Sequence, residues 1–329
     1  MNIITPKNVL PMKLRAYALS KFSATAPATM MLLGEHAVLH GYHAIVCAVN
    51  HYINVELIPR DDKLIHIDSS LGQFQTSLQA LCREAPFEFV TEAICSVKAS
   101  LKTGFDLSIQ SDFSHQLGLG SSAAVTVATL KVLNQWNNTE ADHESSSQKM
   151  DIFLRARDII QKVQGLGSGA DVAASVFGGT VAYCMNPLSI KKLKHNPPIS
   201  VVYSGSKKPT REVVQYLEEK RQQNPESMDL IFKQMDSSCQ EAQHCIETEN
   251  WIKLGKILNT NQSYMKSLGL SNAQLDELIT QLNTFPEILG AKISGSGLGD
   301  CLIGLGKLSS LYFPLNESQR RAGVRQLDI

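Results

Sequence analysis

The sequence carries no surplus charge of either sign: 31 Lys and Arg stand against 31 Asp and Glu in 329 residues. That balance removes the electrostatic case for nucleic acid or an anionic membrane as a partner. Long hydrophobic runs are missing too, and no stretch approaches the roughly 20 apolar residues that span a bilayer. The opening MNIITPKNVLPMKLRAY lacks a continuous apolar core with a small-residue cleavage site, so it does not read as a secretory signal. Cysteine is present but unpatterned. Cys47, Cys82, Cys95, Cys184, Cys239, Cys245 and Cys301 are scattered, odd in number and without a CxxC pair. This excludes a disulfide framework and a structural zinc site and leaves most of them as small buried residues. The two common nucleotide-binding signatures are also absent: no Gly-Lys-Ser/Thr P-loop occurs, and no GxGxxG follows a strand. A cytoplasmic globular protein is the expectation.

What is present is a hydrophobic fraction of 43% in a chain long enough for two packed domains. The first half mixes strands and helices. YALSKFSATAPATMMLLGEHAVLHG reads as strand, turn, strand, turn. HAIVCAVNHYINVELIPR, KLIHIDSS and FDLSIQSDF read as strands. Residues 87–102 and 122–136 have helical spacing, as does MDIFLRARDIIQKVQ after the polar stretch 137–151. The second half opens with a strand, PPISVVYSG. Amphipathic helices follow over residues 211–285, and the chain closes on strand, glycine turn, strand. The change of character near residues 185–198 sets the expected domains at 1–190 and 191–329.

Three glycine-rich loops stand out. GLGSSAA, Gly118 to Ala124, runs straight into a helix whose Val125, Ala128, Thr129, Val132 and Leu133 share an apolar face. A helix start has unpaired N–H groups and a partial positive charge, and glycine lets backbone wrap an anion closely. The loop therefore suits phosphate, with Ser122 as a further donor or a Mg²⁺ ligand, or else it is a serine-capped turn. In GLGSGADVAASVFGG, Asp171 follows three glycines at the start of a helix of small residues. It either caps that helix or takes a proton from a hydroxyl acceptor beside bound phosphate. KISGSGLGDC places three glycines within five residues between two apolar runs, which implies close approach to another backbone or a ligand.

Together, SATAPATMMLLGEHAVLHG, LGLGSSAAVTVA and AKISGSGLGDC resemble, in order and spacing, the three motifs of the GHMP kinase superfamily. GEHAVLHG is most similar to its mevalonate kinases, whereas GSGADVAASVFGG, GLGDC and YSGSKKPTREVV are nearer its phosphomevalonate kinases. The resemblance covers nearly the whole chain. It implies a two-domain α+β fold, ribosomal S5 domain 2-like and then ferredoxin-like, with ATP and Mg²⁺ between. It puts Gly118, Leu119, Gly120, Ser121, Ser122 and Ala123 around the ATP phosphates, with Ser122 on the metal and Asp171 as the catalytic base. Glu35, His36, Lys207, Gly295, Ser296 and Gly297 would lie on the substrate side. The implied partner is a small-molecule hydroxyl substrate, and a homodimer is compatible.

Two positions depart from the motifs. Thr29 stands where the mevalonate kinases carry a lysine that helps activate the hydroxyl; Lys21 and Lys207 are the candidates to compensate. Ile160 stands where spacing puts the acidic metal ligand, with Asp158 nearby. Lys207, Lys208 and Arg211 are cations that would pair with a substrate carboxylate or phosphate. The activity implied is ATP-dependent phosphorylation of mevalonate. The alternatives are another acceptor, phosphomevalonate or a sugar, or a catalytically silent sensor of nucleotide or metabolite. A mevalonate diphosphate decarboxylase is disfavoured because its lysine- and tryptophan-bearing first motif is absent.

Overall fold

The computed structural model describes residues 20–137, 145–308 and 313–327. The opening segment 1–17, the start of the first strand reading and residues 138–144 of the polar stretch before MDIFLRARDIIQKVQ lie outside the described residues. Two sheets organise the chain. The first has seven strands: β1 (Phe22–Leu33), β2 (His43–Pro59), β3 (Leu64–Ser69), β4 (Gly72–Ser77), β5 (Phe105–Ser111), β6 (Thr180–Met185) and β7 (Leu188–Lys192). Its order is β4-β3-β5-β2-β6-β7, with β1 paired to β2. The long β2 makes this possible. Its first residues pair with β6, its last with β5, and β1 runs antiparallel along its other edge. The second sheet is antiparallel, β11-β8-β10-β9, from β8 (Ile199–Tyr203), β9 (Ala291–Ser294), β10 (Cys301–Leu305) and β11 (Arg325–Leu327).

Helices α1 (Glu88–Val97), α2 (Ser121–Asn137), α3 (Ser146–Gln164) and α4 (Ala170–Phe177) pack as a group, and α2 and α4 lie directly on β1 and β2. The apolar face expected on α2 is too narrow. Ala123, Ala124, Val127, Leu130 and Thr126 are buried along with the expected positions, and Val125 is only half-buried. The helix is small-residue-rich because neighbours approach it from several sides, so side-chain bulk gives way to close backbone contact. The later helices are α5 (Thr210–Gln223), α6 (Pro225–Glu247), α7 (Trp251–Ser267), α8 (Ala273–Leu282) and the short α9 (Glu317–Arg321).

The second sheet has both faces buried. On β10, Cys301, Ile303 and Leu305 join the core shared with the first sheet, while Leu302 faces a second core with Val202, Phe232 and Met265. This is the two-residue period of a strand, with apolar residues on both sides. The first core runs continuously from the seven-stranded sheet into α6 and α7, which locks the two halves together.

The strand-turn-strand expected over the first motif is one strand of 12 residues with register shifts at Pro27/Thr29 and Met31/Leu33. Proline removes a ladder donor, so the chain bulges there instead of turning. The bulge breaks the alternation, and Ala28, Thr29 and Met30 are buried in succession. Thr29 thereby turns inward.

Candidate active site

The glycine loops expected to bind phosphate converge on one cleft of about 220 Å³. Gly118, Gly120, Ser121, Ser122 and Ala123 line it, and so do Asp171 and Lys207. From the far side come Glu35, His36, Gly295 and Ser296. Leu119 does not face it, being 1% exposed within the core; its carbonyl instead accepts from the Thr29 N–H at 3.1 Å. Gly297 packs on Leu270 outside the cleft.

Each wall is fixed locally. The Gly118–Gly120 loop ends at the first turn of α2, whose leading N–H groups lack intrahelical partners and attract anions. Gly120 has φ +64°, and a Cβ there would meet the Thr29 hydroxyl at 2.0 Å. Only glycine lets the loop lie this close to β1. Asp171 sits in the first turn of α4 after Gly169, and no side-chain cap bond forms there. Its Oδ1 instead accepts a 2.8 Å hydrogen bond from Thr29 Oγ1. Burial pushes the Asp171 carboxyl above its ordinary range, against the Thr29 hydrogen bond and the Lys207 charge, which both favour the ionised form. The position that carries no lysine thus still contacts the proposed base, through a hydroxyl.

The turn after β1 is stitched to the β9–β10 hairpin. Lys292, 0% exposed, donates to Glu35, which is 2% exposed, and Glu35 Oε2 has no hydrogen-bond partner. Burial raises the Glu35 carboxyl, and Lys292 opposes that rise. His36 has φ +59° and its Nε2 donates to the Ser296 carbonyl at 2.9 Å. Burial lowers its pKa to about 4, so the ring is neutral at pH 7 and Nδ1 is left as an acceptor. Ser294 Oγ donates to the Met31 carbonyl at 2.8 Å. The hairpin loop also approaches other backbone closely, as its glycines suggested: Leu298 N–H donates to Leu270 O and Asp300 N–H to Ser206 O, each at 2.8 Å.

Of the cations considered, Lys207 alone lines the cleft. Lys21 is committed to Glu56 at 2.7 Å, and Lys208 and Arg211 are exposed away from the lining. Ile160 lines the cleft as an apolar group, while Asp158 is 70% exposed beside Arg157 and points outward. One lining acid escapes a reading of the glycine pattern. Asp300, 3% exposed, has φ +65°, and its signal in the sequence was an acid standing among turn glycines directly before a buried strand.

A larger cavity of about 550 Å³ adjoins the cleft and shares Ser121, Ser122 and Lys207 with it. Phe87, Phe89, Phe113 and Leu71 supply apolar walls. Its size falls in the range of small-molecule sites, and its walls suit a flat base. The two spaces give a place for a nucleoside, a polyphosphate path past a helix N-terminus, and an acceptor end with a carboxylate.

Comparison with known proteins identifies the family. Residues 88–179 match the GHMP kinases N terminal domain and residues 242–318 the GHMP kinases C terminal model. A mevalonate kinase from Archaeoglobus fulgidus is 34% identical over 286 residues, covering 86% of this chain and 92% of that one. The chain belongs to the GHMP kinase family. Among solved structures, the Methanococcus jannaschii mevalonate kinase is 25% identical with a TM-score of 0.75, covering 94% of this kinase and 98% of that chain. The Streptococcus pneumoniae phosphomevalonate kinase in complex with phosphomevalonate and AMPPNP shares the fold, at 18% identity and a TM-score of 0.74 over 93% and 98% of the two chains. The two-domain α+β fold expected of the family is the fold observed. Among the described residues, no helix is long and apolar enough to cross a membrane.

Proposed function

We propose that this kinase transfers the γ-phosphoryl group of ATP to the hydroxyl of mevalonate. The relationship to the Archaeoglobus mevalonate kinase over 86% of the chain carries the choice of acceptor. The cleft supports the chemistry. The polyphosphate runs along the Gly118–Gly120 loop and the first turn of α2, with the base in the adjoining apolar cavity. Ionised Asp171 takes the proton of the acceptor hydroxyl. That oxygen bonds to the γ-phosphorus as the bond to the ADP oxygen breaks, and Lys207 faces the charge that develops. Neutral His36 and Glu35 hold the acceptor through Nδ1 and Oε2.

ATP of this class is used as its Mg²⁺ complex, and the residues fit that ion. Ser122 Oγ and the Asp171 carboxylate are oxygen donors on the cleft wall, the donor type Mg²⁺ takes. Among the described residues, no group of three or more His, Cys, Asp or Glu forms a self-sufficient metal cage. The ion would therefore be held jointly with phosphate oxygens and water, where it neutralises charge on the transferring group.

The reading includes a domain divide near residue 190, supported by the gap between β7, ending at Lys192, and β8, starting at Ile199. It also includes a cytoplasmic setting, with which the seven free cysteines accord. Phosphomevalonate is the less favoured acceptor: of Lys207, Lys208 and Arg211, only Lys207 reaches the cleft to meet a second phosphate. The test is ADP release with Mg·ATP and, separately, mevalonate, phosphomevalonate, homoserine and galactose. Turnover with mevalonate is expected. Turnover confined to another acceptor would replace the substrate, and ATP binding without turnover on any would leave a sensor.

A further inference from the structure

The charges around the cleft do not balance. Its lining holds three carboxylates: Glu35, Asp171 and Asp300. Lys292 neutralises Glu35 by direct contact, and His36 is uncharged. Lys207 is left alone against Asp171 and Asp300 before any polyanion enters. A nucleotide polyphosphate entering a cleft already negative requires a further cation beside it.

Asp300 is the acid placed to meet that cation. Its Oδ2 accepts from Ser296 Oγ at 3.1 Å, but its buried Oδ1 has no hydrogen-bond partner among the described residues. A buried carboxylate oxygen without a partner is costly and marks a site. The carboxyl lies against the phosphate loop itself: a Cβ on Gly118 would stand 2.8 Å from Oδ1. Its backbone is held in the left-handed region from both sides, N–H to Ser206 O at 2.8 Å and carbonyl from Ser204 N–H at 2.9 Å. Left-handed backbone at a residue other than glycine is retained where its surroundings impose it, commonly at functional sites. Glu35 also has a free oxygen, but the Lys292 ammonium on its other oxygen repels a second cation.

We propose that Asp300 supplies, from the β9–β10 hairpin, a carboxylate for the divalent cation that accompanies the nucleotide, in a chain whose helix α3 presents Ile160 to the cleft instead of an acid. The inference rests on the nucleotide-binding reading above. It makes the metal a link between the two sheets, with Ser122 and Asp171 on one side and Asp300 on the other. Burial raises the Asp300 carboxyl while Lys207 and Ser296 favour its charge, so a cation beside Oδ1 would complete what those two groups begin.

Asp300→Asn tests this without dismantling the loop. Asparagine has the same shape, tolerates positive φ and keeps an oxygen for Ser296. AMPPNP affinity is measured by calorimetry in EDTA and again in Mn²⁺, for wild type and variant. The ratio of the two affinities reports how strongly metal and nucleotide couple on the protein. We expect the variant to lower that ratio on the order of 10- to 100-fold, with the EDTA affinity unchanged or higher because a negative charge has gone. The electron paramagnetic resonance spectrum of bound Mn²⁺ should change as well. An unchanged ratio and spectrum in Asp300→Asn would overturn the assignment. A wild-type protein that binds no AMPPNP in either buffer would overturn the nucleotide reading itself.

Discussion

Thr29 Oγ1 donates to Asp171 Oδ1 at 2.8 Å, joining the bulge of β1 to the first turn of α4. The bond favours the ionised carboxylate against a burial that favours the neutral acid. As the proposed base, Asp171 must be ionised to accept a proton, and the Thr29 bond would keep it so toward lower pH. Thr29→Ala removes the side-chain hydrogen bond that opposes burial and raises the Asp171 pKa further. The acid limb of the pH–kcat profile should then move to higher pH by about one unit or more, the size of one lost hydrogen bond to a charged group. Thr29→Ser keeps the hydroxyl and should restore the limb. Coincident acid limbs for wild type and Thr29→Ala would remove Thr29 from the control of Asp171.

Gly120→Ala probes the same bond from the other side. The new Cβ would fall 2.0 Å from Thr29 Oγ1, at a φ of +64° that disfavours alanine. The hydroxyl must move, and the loop or the Thr29–Asp171 bond must give. Expected are a loss of about 1–3 kcal/mol in urea unfolding and a kcat profile shifted in the same direction as that of Thr29→Ala. Wild-type stability together with wild-type turnover would show that the loop relaxes without touching Thr29.

Much of this geometry was legible beforehand, for a physical reason. Glycine and small residues next to an apolar helix leave few alternatives to close backbone packing, so the Gly118–Ala124 loop and the placement of Asp171 on α4 could be read locally. What Thr29 contacts could not. Its orientation depends on a register break at Pro27, and an Ala-Pro step reads equally well as a turn or a bulge. Lys292 was invisible for a different reason: a lysine within AKIS looks solvated until the partner sheet brings Glu35 onto it. Asp300 was hidden by its own glycines, and the long β2, whose two ends pair with different strands, left the strand order undetermined by pattern alone.

The Lys292–Glu35 pair should be fragile to single substitution. Both groups are buried, and Lys292→Met leaves an unpaired carboxylate between the sheets. Breaking a buried pair from one side costs about 3–5 kcal/mol, whereas removing both charges costs much less. Urea unfolding of Lys292→Met, Glu35→Gln and the double variant should therefore show the double to be more stable than Lys292→Met. A double variant whose loss equals the sum of the singles would mean the two side chains are not coupled.

His36 makes stability depend on pH in a defined window. Burial holds its folded pKa at about 4, below the ordinary 6.5 that it regains on unfolding. Between those values the unfolded chain binds the extra proton and the folded chain does not, so acidification favours unfolding. The contribution is fully present above pH 6.5 and is lost as pH falls from 6.5 toward 4, amounting to about 3 kcal/mol over that interval. His36→Asn keeps a residue that tolerates the φ of +59° and an N–H for the Ser296 carbonyl. It cannot take up the proton. Its unfolding free energy, followed from pH 7 to 4.5, should fall less steeply than that of the wild type. Parallel curves would place the acid sensitivity of the fold at groups other than His36.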